Sequence, residues 1–293
     1  MVKQSRRKEV NGSKGLETNA PGLARWGERD GAGGPASSLS DCNRDGVRGT
    51  AGGPGSSISD CYRIGSWNVR GLNSPGKLEN VLLEMNRLDL DVLGVSETFW
   101  DGVGEFDTEI PVCEDRFRVI FSGGSKKRRG VAIVVRNNAA TALESYESHC
   151  ERIMIARLKA KPVNILLVQV YAPCEDCKEE DRMQFYMELD QVIRESKKGR
   201  ECVIVMGDFN GKVGLGKEDD IVGPCGVGLR NENGRSVVDF CRTHELFATN
   251  TWFQQKDTAR HSWTSPNKKT KNQIDYILVD KRFRNGVRNC KVR

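Results

Sequence analysis

The sequence predicts an α/β fold in which two mainly antiparallel sheets pack face to face with helices outside. Two observations carry that reading. From Tyr62 onward, strand-length apolar runs bounded by glycine and polar residues recur along the chain, whereas only about three segments show the 3.6-residue period of an amphipathic helix. In addition, strands and helices do not alternate strictly, and no glycine-rich dinucleotide or P-loop fingerprint appears, so a doubly wound sheet is disfavoured.

Tyr62 to Val69 reads as a first strand ending in a turn at Asn68. Ser74-Pro75-Gly76 then opens a helix, with Ser74 as N-cap and Pro75 at the first helical position. Leu78, Val81, Leu82, Met85 and Leu88 give that helix one apolar face. Asp91 to Glu97 is a short buried strand ending in a carboxylate. Strands over 117–121, 130–136, 152–159 and 163–171 follow, the first two joined as a hairpin by the basic loop Lys126-Lys127-Arg128-Arg129. Asp181 to Lys198 is helical by pattern, with Phe185, Leu189, Val192 and Ile193 inward and Gly199 as its stop. Val203 to Met206 is a buried strand that meets Gly207 and at once presents Asp208 and Asn210. A helix carrying Val237, Val238, Phe240 and Cys241 comes next, and strands at 262–264, 273–280 and 286–292 close the chain.

The first sixty residues have another texture. They hold 12 of the 31 glycines and a single aromatic, Trp26, too little apolar surface to offset ordering entropy. The segment Gly33 to Arg44 recurs nineteen residues later as Gly52 to Arg63, with nine of twelve positions identical. Two copies do not build a solenoid, and the Gly/Ser/Pro content is that of a flexible linker. The expected organisation is a disordered tail over 1–61 and one domain over 62–293.

A formal charge of +6 is modest but clustered, at 126–129, 197–200, 268–271 and 281–284. Basic loops around an acidic centre suit a polyanion. Ten cysteines show no disulfide framework, and no signal peptide or membrane-length apolar run is present, so an intracellular protein, nuclear or cytoplasmic and not secreted, is expected. Cys174-Glu175-Asp176-Cys177 has zinc-like spacing, but no second pair sits at finger-like distance, which favours an ordinary loop.

The chemical content lies at strand ends: Asn68, Glu97, Tyr171, Asp208 with Asn210, and Asp275. If the strand geometry persists, Asp208 and Asn210 share one face. Singly, each has a structural explanation as a turn cap, a surface ion pair or half-buried core. Asp275, between Ile274 and Tyr276, must point inward or be paired. Together they suit phosphodiester hydrolysis. Glu97 helped by Asn68 would hold Mg²⁺, Asp208 would orient or deprotonate water, and Asn210 and Tyr171 would donate hydrogen bonds to phosphate oxygens.

Trp67-Asn68, Ser96-Glu97, Val170-Tyr171-Ala172-Pro173, Gly207-Asp208-Phe209-Asn210 and Ile274-Asp275-Tyr276 occur in the order seen in the endonuclease/exonuclease/phosphatase superfamily. The resemblance spans roughly 62–293. Asn231 to Arg235, Asn250 to Phe253 and Ser262 to Thr264 are similar to the endonuclease domains of LINE-type retrotransposons. The resemblance implies a deoxyribonuclease-like four-layer α/β sandwich and a Mg²⁺ site, with Mn²⁺ as substitute. It implies Glu97 as main metal ligand supported by Asn68, Asp208 acting on the water, Tyr171 and Asn210 on the phosphate, and Asp275 orienting a catalytic histidine. DNA is the implied partner, with Trp263 and the 126–129 loop helping to bind it.

Two departures stand out. Arg70 occupies a position where DNA-repair members carry a second acidic ligand. The family's terminal Ser-Asp-His motif does not occur before Arg293, so the C-terminal end of the domain is expected to be incomplete; the histidines are His149, His244 and His261. The leading expectation is a metal-dependent DNA endonuclease, of apurinic-site or retroelement type, weakened by that absence. The alternatives are an inactive nucleic-acid or protein-binding module, and an inositol-phosphate or sphingomyelin phosphodiesterase.

Overall fold

The computed structural model describes residues 22–27, 61–110, 115–124 and 129–293. In chain order the strands are β1 (Gly22–Gly27), β2 (Cys61–Asn68), β3 (Val92–Ser96), β4 (Val103–Ile110), β5 (Asp115–Ser122), β6 (Val131–Arg136), β7 (Leu143–Cys150), β8 (Ile153–Leu158), β9 (Ile165–Tyr171), β10 (Cys202–Asp208), β11 (Leu246–Ala248), β12 (Trp263–Thr264), β13 (Lys271–Asn272), β14 (Asp275–Asp280) and β15 (Val287–Val292). The helices are α1 (Lys77–Arg87), the single turn α2 (Asn137–Ala140), α3 (Glu179–Ser196) and α4 (Glu232–Thr243).

One sheet runs β15-β1-β2-β3-β6-β5-β4 and the other β11-β14-β10-β9-β8-β7. Each contains one parallel pair, β2 with β3 and β9 with β10; the remaining pairings are antiparallel. Three apolar cores separate four layers. Ile64, Val92 and Ile133 of the first sheet meet Ala156, Leu167 and Ile204 of the second between the sheets. Val81, Leu82 and Met85 seat α1 on the outer face of the first sheet. Phe185, Leu189, Val192 and Ile193 of α3, with Val237, Val238 and Cys241 of α4, cover the outer face of the second. This is the expected face-to-face sandwich; α3 and α4 bury the residues that the periodicity predicts, and in α1 Leu78 and Leu88 are only partly buried.

Glycine permits two close approaches. A Cβ on Gly94 would stand 1.8 Å from Gln169 Oε1, whose carboxamide crosses from β9 and donates to Ser96 Oγ at 2.9 Å. A Cβ on Gly207, where φ is +149°, would stand 1.9 Å from the Val170 carbonyl oxygen. Beneath α3, Arg157 Nε donates to Glu201 Oε1 at 2.7 Å in a buried ion pair.

Several expectations are corrected. α1 starts at Lys77 after Gly76 in the left-handed region, with no side-chain cap, so Ser74 contributes only its carbonyl, to the Lys77 N–H at 3.2 Å. Gly22–Gly27 departs from the tail assignment. Its backbone forms a strand that pairs with β2 on one side and β15 on the other, ladder bonds that do not depend on apolar side chains. The duplicated repeat lies outside the described residues apart from Cys61 to Arg63. β5 and β6 form the expected antiparallel hairpin with Ser122 opposite Val131, while Lys126, Lys127 and Arg128 of its loop lie outside the described residues. Among the described residues no helix is long and apolar enough to cross a membrane.

Candidate active site

The parallel pairs β2–β3 and β9–β10 point their C-terminal ends toward one edge of the sandwich. β14, antiparallel to β10, starts at that same edge. Asn68 lies beside Ser96 in the β2–β3 register, and Asp208 has Tyr171 on one side and Asp275 on the other. Topology alone therefore gathers Asn68, Glu97, Tyr171, Asp208 and Asp275, and Asn210 follows two residues after Asp208.

Asn68 joins the two sheets. Its Nδ2 donates to Glu97 Oε1 at 2.8 Å and to Asp208 Oδ2 at 2.7 Å, while its Oδ1 accepts the Arg70 N–H at 3.1 Å. One carboxamide thus holds two carboxylates near each other. The extended geometry expected through Asn210 does not persist: Asn210 has φ +48°, and Asp208 Oδ1 accepts its N–H at 2.8 Å, an Asx-type turn. Asn210 Nδ2 reaches the Ala172 carbonyl at 3.0 Å, leaving its second N–H for another acceptor. Asn233 Nδ2 supports both segments, donating to the carbonyls of Pro173 at 3.0 Å and Asn210 at 2.9 Å.

The electrostatics are those of crowded acids. Burial pushes Asp208 up to about 6; Glu97 adds repulsion, while Asn68, the Asn210 N–H and the Arg70 charge oppose the shift. Asp275 is also raised well above the usual carboxylate range, by burial first and then by Asp208, with the Ser262 hydroxyl opposing. Tyr171 is held protonated by burial and by the Glu97 and Asp208 charges, and the Arg152 guanidinium stacks over its ring at 5.1 Å. Asp275 Oδ1 is buried without a hydrogen-bond partner among the described residues. Its backbone is fixed by Ser262 Oγ, which accepts the N–H groups of Ile274 and Asp275 at 3.0 Å each.

Buried, crowded acids, with one orphaned carboxylate oxygen, are what a hard divalent cation relieves. The donors are all oxygen, as Mg²⁺ prefers, and a Mg²⁺ that keeps its waters needs only one or two carboxylates. No cluster of three His, Cys, Asp or Glu residues has cation-holding geometry among the described residues. Glu97 and Asp208 therefore fit a water-rich ion. Asn68 is engaged on both polar atoms and fits better as the bridge that orients them.

Of the remaining sequence candidates, Arg129 and Trp263 fall among the described residues. Arg129 is ion-paired with Glu151. Trp263 is half-buried in the β12–β13 ribbon, next to Ser262. The histidines pair elsewhere, His149 with Glu188, His244 with Asp190 and His261 with Asp257. Sequence reasoning missed the bridging geometry of Asn68, the Arg152 stack, and the supports Ser262, Asn233 and Asn250; the last takes the Ile277 N–H on its Oδ1 at 3.0 Å. Asn233, Asn250 and Ser262 lie within motifs visible in the chain, but nothing in their spacing reveals which backbone they hold.

Residues 65–289 match the family described as Endonuclease/Exonuclease/phosphatase family. The chain belongs to that family. Relatives include craniofacial development protein 2 of Bos taurus, 37% identical over 230 residues covering 78% of this chain and 38% of the relative, and that of Tragulus javanicus, 36% identical with 78% and 39% covered. The chain spans less than two-fifths of the length of these relatives. Among solved structures, a 3'-5' exonuclease of Neisseria meningitidis superposes with a TM-score of 0.53 at 19% identity, covering 76% of this chain and 88% of that one. The endonuclease domain of TRAS1, a telomere-specific non-LTR retrotransposon, gives 0.50 at 15% identity, with 75% and 86% covered. These likenesses establish the shared four-layer fold of the endonuclease/exonuclease/phosphatase family.

Proposed function

We propose that this chain is a divalent-metal-dependent phosphodiester hydrolase that nicks DNA. The observation that carries the reading is the bridge from Asn68 to Glu97 and Asp208, which holds two carboxylates at the meeting edge of two sheets despite their mutual repulsion. A structural site would pair such charges with cations; here the supports are carboxamides and backbone.

Glu97 and Asp208 would hold Mg²⁺ or Mn²⁺, with Asn68 fixing their orientation. The bound ion supplies charge neutralisation on the phosphate and on the leaving oxygen. Asp208, ionised at neutral pH, would orient the attacking water through its carboxylate. Tyr171 stays protonated and donates its O–H to a phosphate oxygen, and the free N–H of Asn210 donates to another. On the adjacent strand, burial and the Asp208 and Glu97 charges favour the protonated form of Asp275. Arg70, whose charge reaches Asp208 and Asp275, offers a cation to the incoming polyanion.

The unpartnered Asp275 favours a second reading, in which the same edge binds nucleic acid without cleaving it. Supercoiled plasmid with Mg²⁺ separates the two. Nicking by the wild-type chain that disappears in Asp208→Ala supports hydrolysis. Nicking that survives this substitution comes from a contaminant, and salt-sensitive duplex binding without cleavage leaves the binding module.

A further inference from the structure

We propose that Cys174 and Cys177 form a reversible dithiol–disulfide couple, a covalent modification site in the segment between Tyr171 and α3. Their sulfurs lie 2.7 Å apart, and the Cys177 N–H closes the turn onto the Cys174 carbonyl at 3.1 Å. Bond formation therefore asks for a sub-ångström approach and no change of chain path; the Cα atoms of a tight turn fall within the span that a disulfide bridges. Cys174 is exposed and Cys177 half-buried, so one thiol meets a small disulfide in solution and the other waits behind it. Cys202, Cys241 and Cys290 contrast with them: each is buried in the core, out of reach of a small disulfide in solution.

Cys177 lines a cavity of about 240 Å³ together with Cys150 and the guanidinium-bearing Arg129 and Arg152. Arg152 also stacks on Tyr171 and donates to the Tyr171 carbonyl at 2.8 Å, so the cation beside the thiol is held in place by the candidate active site itself.

The oxidant class is a small disulfide such as oxidised glutathione. Cys174 gives its proton to solvent and its sulfur attacks the disulfide, releasing one glutathione thiolate and leaving a mixed disulfide. Cys177, deprotonated in turn, attacks Cys174 Sγ and expels the second thiolate. The protein loses two protons and two electrons, and one disulfide becomes two thiols. The turn so locked follows directly on the two carbonyls that Asn210 and Asn233 bind, those of Ala172 and Pro173. Its oxidation state thus sets the freedom of the backbone from which Tyr171 and Asn210 are held.

The full chain is equilibrated in a series of reduced and oxidised glutathione mixtures, quenched in acid, alkylated and mapped by mass spectrometry. Cys174 and Cys177 fall on one tryptic peptide ending at Lys178. That peptide is expected to lose two hydrogens and about tenfold in alkylation at the oxidising end, with recovery on return to reduced glutathione. Cys177→Ser is expected to trap glutathione on Cys174. In the oxidised chain, amide exchange over 172–177 is expected to slow several-fold. Equal alkylation of both thiols in every mixture, a glutathione adduct that persists on Cys174 in the wild type, or a bond from either to Cys150 would each overturn the couple. Unchanged amide exchange would overturn its link to the site segment. None of these readouts depends on nuclease activity.

Discussion

Replacing Asp208 with Asn tests whether the buried carboxylate is held against its preference. Its pKa rises from an ordinary 3.8 to about 6 in the folded chain. At about 1.4 kcal/mol per tenfold change in proton affinity, keeping it ionised costs the native state about 3 kcal/mol. The sign follows from proton binding. Between pH 3.8 and 6 the folded chain holds this proton more tightly than the unfolded one, so stability falls across that window as pH rises and stays low above it. A carboxamide removes the charge, and also the repulsion that Asp208 imposes on Asp275. Part of the gain is lost. One amide atom still accepts the Asn210 N–H, but the other turns a donor toward Asn68 Nδ2, an unmade hydrogen bond of about 1–2 kcal/mol. The net expectation in a chelator at pH 7.5 is a gain of about 1–2 kcal/mol, or a Tm rise of roughly 2–6 °C. At pH 4 the two proteins should melt together, or the variant slightly lower. Mg²⁺ should raise the wild-type Tm and leave that of Asp208→Asn nearly unmoved. A variant that melts lower than wild type by the same margin at both pH values would refute the reasoning, because the carboxylate would then be stabilising.

Other outcomes follow from the same geometry. Gly207→Ala forces a Cβ to 1.9 Å from the Val170 carbonyl at φ +149°, and should lower the urea midpoint by the equivalent of about 3 kcal/mol or more, or leave the chain insoluble. Arg157→Met strands the buried Glu201 carboxylate, a loss of about 3–5 kcal/mol at pH 7 that Arg157→Met/Glu201→Gln should largely restore. At limiting Mg²⁺, plasmid nicking should decline about tenfold per pH unit below pH 6, where a proton on Asp208 competes with the ion, with no alkaline limb from Tyr171, whose hydroxyl burial keeps protonated. Asn68→Ala should leave Glu97 and Asp208 without their shared donor, reducing nicking at least about a hundredfold while melting within a few degrees of wild type.

Which parts of the fold were legible follows from where apolar surface is buried. β3, β6, β8, β9 and β10 are interior strands covered on both faces, and their near-continuous apolar runs mark them in the sequence. β4 and β7 were not marked. Each is an outer strand of its sheet, exposed along most of its length, so Val103–Ile110 and Leu143–Cys150 carry charges where an interior strand carries valines. Their existence rests on backbone ladders that leave little trace in composition. β1 escapes for the same reason, since two ladders hold a glycine-rich segment that predicts disorder. At the candidate site, the gathering of these residues at one edge was legible because each stands at the end of a strand marked by its apolar run. Orientation was not. That Asn68 spends its donors on two acids, and that Asn210 turns to the left-handed region, depend on partners up to 140 positions distant.

The site also explains why these supports are amides rather than cations. Paired with lysine or arginine, Glu97 and Asp208 would be relaxed in the free chain, and a metal or a phosphate would have to compete with a salt bridge. A carboxamide supplies one N–H to each acid, enough to fix both positions without neutralising either. The burial and residual repulsion that raise Asp208 and Asp275 are then available to favour whatever cation enters. Because Glu97 follows β3 and Asp208 ends β10, the same bridge crosses the seam between the sheets. Neutralising the acids by a proton, by Asp208→Asn or by a metal ion therefore acts on the packing of the two sheets as well as on the chemistry. That shared dependence is why stability and activity should move in opposite directions when the charge is removed by mutation.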